Sequence, residues 1–364
     1  MPTKINFGRG IFQTLPKSSE VLGRRVAVVT ESTIRKLETV QTVIDSLNPV
    51  TVFDQIRPNP TTKNVDTLSE LLRGEKAELV IAVGGGSVLD CAKAASCLAM
   101  TNDSNIRLYH SEGKTFADGR IPVITVPTTA GTGSEVTPIA VLDDEEKCFK
   151  SPMSSHLFYP VSAVIDSDLT LSVPIRVTAS TALDAFSHAL EGFWSKNHQP
   201  VCDLLAKEAA RIILTNLGNL YKNLADPVLR GQIAYAALLA GIAFQMPKNA
   251  IIHACSFPLS NRFHLPHGEA CAFTMEAAIR LNTPFMEGRM EEFALAAGFN
   301  SVTSMIDTIT VLKRSSGLPC TLRDAGIDPD SVALLVKESF HPLLNNNPKT
   351  VTETDLYRIY DDLR

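Results

Sequence analysis

The chain has 364 residues, enough for two domains that each bury a substantial core. Its hydrophobic share of 45% and charged share of 20% are ordinary for a globular protein, and a formal charge of −5 without a basic run argues against nucleic acid or an anionic membrane surface as partner. No stretch approaches the roughly 18 apolar residues of a membrane span, MPTKINFGRGIF has no apolar signal core, and seven scattered cysteines without CxxC fit free thiols in a reducing cytoplasm.

The first half alternates strands and helices. RRVAVVTE reads as a strand ending at Glu31, followed by the helical pattern TVQTVIDSL. Glu31 stands where a carboxylate can accept both ribose hydroxyls of an adenosine and repel a 2′-phosphate, which favours NAD(H) over NADP(H). NVDTLSELLRGEKA is a second helix, and ELVIAVGGGS is a strand running into Gly84, Gly85 and Gly86 and then into the helix VLDCAKAASCLAM. A glycine turn between strand and helix exposes backbone N–H groups to a pyrophosphate, although GGGSVL lacks the third glycine and the following acidic residue of the usual dinucleotide fingerprint. RIPVITVPTT is a third strand, and the loop after it, with Thr128, Thr129, Gly131, Thr132, Gly133 and Ser134, permits close approach to a cofactor. SAVIDSDL completes the set. Buried strands alternating with helices imply a doubly wound, mostly parallel Rossmann-like sheet over residues 1–174.

From 175 to 364 the texture is all-helical, as in CDLLAKEAARIILTNLGNLYKNL and VLRGQIAYAALLAGIAF. Within it, TALDAFSHALEGFW carries Asp184 and His188 four apart, on one face of a helix. HACSFPLSNRFHLPH carries His253 and His267 fourteen apart, with Pro258 and Pro266 between. No single helix is expected to survive those prolines, so the second pair must be delivered by a helix end and a turn. One carboxylate and three imidazoles suit Fe²⁺ or Zn²⁺ rather than Ca²⁺ or Mg²⁺. Cys255 and Cys271 read as small core residues, and His110, His156, His198 and His341 as surface or structural ones.

Together these segments resemble the iron-containing (group III) alcohol dehydrogenase family, which includes lactaldehyde reductases, butanol dehydrogenases, glycerol dehydrogenases and maleylacetate reductases. GGGSVLDCAK resembles its phosphate loop, PTTAGTGSEVT its nicotinamide-side loop, TALDAFSHALEGF and HACSFPLSNRFHLPHGEACA its two metal segments, and NNNPKTVTETDLYRIYDDL its C-terminal stretch. The resemblance implies a dinucleotide domain followed by a helical metal domain, with catalysis in the cleft between them. It implies Asp184, His188, His253 and His267 as ligands of Fe²⁺, with Zn²⁺ the alternative. Gly85, Gly86 and Ser87 would hold the pyrophosphate with Asp90 nearby, Thr128, Thr129 and Thr132 would line the cofactor, and Lys150 would reach a ribose. The implied reaction is hydride transfer between nicotinamide and a small alcohol or aldehyde, in a cytoplasmic homodimer.

The chain departs from many relatives at Phe257, where they carry a further histidine credited with proton relay. His264 is the nearest substitute by sequence. Phe257 makes the pocket more apolar, whereas Arg262 and Lys150 add positive charge, a mixture suited to a small anionic aldehyde. Around FPLSNRFHLPHGEACA the chain resembles phosphonoacetaldehyde reductases of the same family. A maleylacetate reductase and, in a different class, a sugar-phosphate cyclase of the dehydroquinate synthase type remain as alternatives, the latter disfavoured by the Asp-plus-three-His pattern.

Overall fold

The structure is a computed structural model that describes every residue except Met1, Asp118 and Cys148. The chain forms two compact units, Met1–Thr129 with Ser134–Thr170, and Ala130–Gly133 with Leu171–Arg364.

The first unit holds strands β1 (Lys4–Phe7), β2 (Val26–Val29), β3 (Thr51–Phe53), β4 (Leu79–Gly84), β5 (Val123–Pro127), β6 (Ile139–Asp144), β7 (Phe149–Ser154) and β8 (Ser162–Ile165). Its helices are α1 (Ser32–Arg35), α2 (Glu38–Leu47), α3 (Thr62–Gly74), α4 (Gly86–Leu98) and α5 (Arg107–His110). Six strands form one sheet in the order β1-β8-β5-β4-β2-β3, every pair parallel. The strands β2 (VAVV) and β4 (LVIAVG) are buried along their whole length, as a sheet covered on both faces demands. Alternation sorts their side chains into two cores. Ala27, Val29, Val80 and Ala82 pack with Val65 and Leu68 of α3 and Leu89 of α4, while Val28, Ile81 and Val83 pack with Val40 and Ile44 of α2. From β2 the chain passes to β3 on one side, and from β4 to β5 on the other. The ends of β2 and β4 are therefore the switch point where such sheets bind ligands.

RRVAVVTE, ELVIAVGGGS, RIPVITVPTT and SAVIDSDL form β2, β4, β5 and β8. The edge strands β1 and β3 and the antiparallel β6–β7 hairpin had no reading in the sequence. Three or four residues give too short a period to detect, and β7 carries Pro152 within a polar run.

The second unit is helical: α6 (Ile175–Trp194), α7 (Pro200–Lys222), α8 (Pro227–Ala243), α9 (Ile251–Phe263), α10 (His267–Phe273), α11 (Met275–Asn282), α12 (Arg289–Ala296), α13 (Val302–Ser315), α14 (Val332–Glu338) and α15 (Glu353–Asp361). From Ala182 to Trp194 every residue of α6 is buried, and Phe186, Phe193 and Trp194 join Ile213, Leu217, Phe273 and Phe293 in its core. A stretch buried on every side is central by necessity, whatever polar groups it carries. Proline opens α7 and α8 at the position where its missing N–H costs nothing, and Asp226 caps α8 by accepting from Val228 N (2.9 Å) and Leu229 N (3.0 Å). One expectation needs correcting. Pro258 does not break its helix: α9 runs through it to Phe263 and closes at His264, whose φ of 56° ends the helix in left-handed conformation. Only Pro266 separates the two metal segments, and His267 then opens α10.

Candidate metal centre and cofactor loops

In the helical unit α6 presents Asp184, His188 and Glu191 on one face, at i, i+4 and i+7. His253 lies in the first turn of α9, and α10 carries His267 and, one turn on, Cys271. Close packing of α10 on α6 depends on Gly268, where a Cβ would stand 2.4 Å from the Ser180 carbonyl oxygen and 3.4 Å from Asp184 Cβ. The glycine thus sets how near His267 comes to Asp184.

The ring nitrogens converge. His253 Nε2 lies 3.1 Å from His188 Nε2, and Asp184 Oδ1 lies 3.7 Å from His267 Nε2 and 3.9 Å from His253 Nε2. Asp184 Oδ1 is buried without a hydrogen-bond partner. An orphaned buried carboxylate oxygen among imidazole nitrogens is costly unless a cation supplies its partner, so these residues fit a divalent metal. His188 stacks on Phe244 with ring centroids 4.3 Å apart, and burial pushes its pKa down to about 3 despite Asp184 nearby, which keeps the imidazole neutral. Burial also disfavours charge on His253, but Cys271 and the Glu191 carboxylate outweigh it and raise its pKa well above the usual value.

Two groups at this centre were not singled out from sequence. Glu191 is wholly buried, accepts from Ile252 N at 2.6 Å, and lies 2.5 Å from His253 Nδ1. With Nδ1–H donated to Glu191, Nε2 is the nitrogen that faces the cluster and would give up its proton to an incoming ion. Its signal was available, since D-x₃-H-x₂-E puts all three on one helical face. Cys271, expected to be only a core residue, is fully buried, and its sulfur lies 3.8 Å from His267 Nε2. The donor atoms of Asp184, His253, His267 and Cys271 all lie within 4.8 Å of one another. Cys255 packs in the core as expected.

Around Phe257 the structure revises two sequence readings. His264 is an exposed helix terminus, and the histidine that contacts Phe257 is His341, with ring centroids 4.8 Å apart. His341 is also structural, its Nδ1 accepting from Leu343 N at 3.2 Å. Arg262 does not bring uncompensated charge, because its Nε lies 3.0 Å from each Glu338 carboxylate oxygen.

In the first unit the glycine loop follows β4, and Gly85 is the N-cap of α4. Gly84 is sterically required, since a Cβ there would fall 2.5 Å from a Val88 methyl. Thr128 N donates to Gly84 O at 3.0 Å, which brings the end of β5 beside the loop, and Thr129 borders Gly85. Glu31, half-buried at the end of β2, has its pKa raised by burial while a bond from the Gly85 N–H opposes that shift. Gly86 and Ser87 open α4, with Ser87 Oγ accepting from Asn59 N at 3.2 Å. Lys150 Nζ in turn donates to Asn59 Oδ1 at 3.0 Å. Asn59, at a left-handed φ of 61°, therefore links the hairpin lysine to the phosphate loop. No local pattern in the sequence encodes that link. Asp90 is buried and braces the following loop, accepting from Ser134 Oγ (2.5 Å) and Val141 N (2.9 Å) and pairing with Lys93 (3.2 Å). Thr132 falls in the short 130–133 segment counted with the helical unit. There Gly133, at φ 63°, lies so close to α8 that a Cβ would meet Gly241 Cα at 2.5 Å.

A model of the iron-containing alcohol dehydrogenase matches residues 2–167, and one of the C-terminal part of the Fe-containing alcohol dehydrogenase family matches residues 178–363. The chain is 33% identical to long-chain-alcohol dehydrogenase 1 of Geobacillus thermodenitrificans, covering 96% of this chain and 92% of that protein. It is 28% identical to a sulfoacetaldehyde reductase of Bilophila wadsworthia, over 98% and 96%. The crystal structure of sulfoacetaldehyde reductase from Bifidobacterium kashiwanohense in complex with NAD⁺ superposes with a TM-score of 0.94 at 39% identity, covering 100% of this chain and 97% of that one. With both halves of the chain matched, this protein belongs to the iron-containing alcohol dehydrogenase family.

Proposed function

We propose that this protein is an NAD(H)-linked, metal-dependent reductase of small aldehydes that carry a strong oxoanion such as a sulfonate or phosphonate, running in reverse as an alcohol dehydrogenase. The observation that carries the reading is the buried, unpartnered Asp184 Oδ1 facing imidazole nitrogens, in a chain 39% identical over its whole length to a sulfoacetaldehyde reductase. In this reading Asp184, His188, His253 and His267 hold the ion, Fe²⁺ in keeping with the family and Zn²⁺ as the alternative. When bound, the metal supplies Lewis-acid polarisation of the substrate oxygen and the nicotinamide supplies the hydride.

The protein's own contribution is positioning. Glu191 fixes the tautomer of His253, and burial beside Phe244 keeps His188 neutral and available as a donor. Gly86 and Ser87 offer the amides at the start of a thirteen-residue helix to a pyrophosphate, and Gly85, whose N–H meets Glu31, holds the turn that presents them. Glu31 receives the adenosine ribose and discriminates against a 2′-phosphate, which favours NAD(H). Lys150, steadied by Asn59, reaches a ribose; Thr128, Thr129 and Thr132 line the cofactor; and Asp90 holds the adjoining loop in place. The reading includes a cytoplasmic homodimer. It is supported by the exposed Val201 and Leu204 of α7 and Val228 of α8, and by free thiols at Cys91, Cys97, Cys202, Cys255, Cys271 and Cys320. Among the described residues no helix is long and apolar enough to cross a membrane.

The test is NADH oxidation by metal-loaded protein with sulfoacetaldehyde, phosphonoacetaldehyde, maleylacetate and propanal, under Fe²⁺ and under Zn²⁺. The two-carbon anionic aldehydes should show the highest kcat/KM. Equal or better turnover of propanal would remove the anionic specificity, and absence of net NADH consumption with every substrate would sink the reductase reading in favour of a cofactor-regenerating cyclase.

A further inference from the structure

Cys271 sits on α10 one turn after His267, wholly buried, with its sulfur 3.8 Å from His267 Nε2. The sulfur, Asp184 carboxylate oxygen, His253 ring nitrogen and His267 ring nitrogen form a four-donor group with no pair more than 4.8 Å apart. His188 Nε2, 3.1 Å from His253 Nε2, stands beside this group as a fifth donor. Metal–donor bonds of about 2.0–2.3 Å put neighbouring donors of a five-coordinate site roughly 2.8–4 Å apart, so the cluster needs to contract by only about an ångström to close on an ion. Cys255, two residues after His253, lies in the same apolar core but outside the four-donor group.

We propose that Cys271 Sγ is a direct donor to the divalent ion in the resting protein, so that the centre offers sulfur in addition to the Asp184 carboxylate and the imidazoles. This rests on the metal-centre reading above and adds a soft ligand to it. On binding, the S–H proton leaves to solvent and the thiolate joins Asp184. Two negative donors then balance a divalent ion, where the carboxylate alone leaves a net single positive charge. A thiolate shifts preference toward Zn²⁺ and Co²⁺ relative to a purely oxygen and nitrogen set.

Cobalt substitution of the full-length protein reads this directly. Wild-type protein loaded with Co²⁺ should show both visible ligand-field bands and a near-ultraviolet thiolate-to-cobalt charge-transfer band. In Cys271→Ser and Cys271→Ala the charge-transfer band should vanish while the ligand-field bands remain, and Cys255→Ala should retain both. Zn²⁺ affinity, measured by chelator competition, should fall by roughly tenfold or more in the two Cys271 variants. Ligand-field bands without a charge-transfer band in wild type, or a charge-transfer band that survives Cys271→Ser, would overturn the sulfur donor and leave the metal centre standing. Failure of wild type to bind Co²⁺ at all would overturn both.

Discussion

At the scale of single residues, the groups with most influence on the centre are those that hold a ligand in place. Glu191 accepts from His253 and from the backbone at the start of α9, so it fixes a ring and a helix end together. Glu191→Ala should lower metal affinity by roughly 10–100-fold, with Glu191→Gln intermediate, in a chelator competition at constant pH. A second buried carboxylate lies in the first unit. Burial raises the Glu135 pKa to about 7 against its own backbone hydrogen bond, with Lys93 lowering it and Asp90 raising it. Because the folded-state value lies above the unfolded one, the protonated form stabilises the fold fully below about pH 4.5, and that contribution is lost as pH rises through about 7. Glu135→Gln should therefore raise stability at pH 8 by up to about 3 kcal/mol and change little at pH 4. Denaturant unfolding at the two pH values checks it; an equal effect at both would mean that packing rather than ionisation dominates.

At the scale of elements, α10 is the piece on which the centre turns. It has seven residues, too few to be stable alone, and it is held by packing against α6. Gly268→Ala places a methyl against the Ser180 carbonyl, so α10 must move and take His267 and Cys271 with it. The expected cost is about 1–3 kcal/mol of stability, together with loss of bound metal. Thermal unfolding and metal analysis of the purified variant would show both, and retention of full metal content would mean that α10 can slide without opening the centre. The helices were the most readable elements, because α2, α3, α4, α6, α7 and α8 carry long periodic or wholly apolar patterns. Pro258 was the exception. Its missing N–H costs one helical bond, yet α9 continues through it with Ile252 and Leu259 in the core and every residue from Ile251 to Ser260 buried.

At the scale of the whole molecule, the candidate ligands all lie between residues 184 and 271 in the helical unit, while Glu31, the glycine loop and Lys150 lie in the sheet unit. Metal and dinucleotide affinities should therefore be separable. Saturating metal at about 100 times its Kd should stabilise the protein by about 2.7 kcal/mol. Asp184→Ala should abolish that increment, and turnover with it, while NADH still quenches or shifts fluorescence as in wild type. Loss of NADH binding in Asp184→Ala would show that the two functions are not independent.

The sequence by itself determined the order of the long helices and central strands and the parallel sheet, and it pointed to Asp184, His188, His253 and His267 as donors. Hydrophobic period and residue type are local properties, and a D-x₃-H pair on a helix carries its own geometry. It also pointed to Glu31 and the glycine loop, because strand ends and glycines mark themselves. Only the tertiary structure decided the rest: that Glu191 steadies His253, that Asn59 couples Lys150 to Ser87, that Asp90 braces a loop, that His341 and not His264 meets Phe257, and that Cys271 turns toward the ligands. Those pairings join residues from 28 to 91 positions apart, or hinge on which way a helix is rotated. Such choices are made by packing, at the metal centre by Gly268 and the buried Ala182–Trp194 stretch of α6, and no local pattern in the chain encodes them.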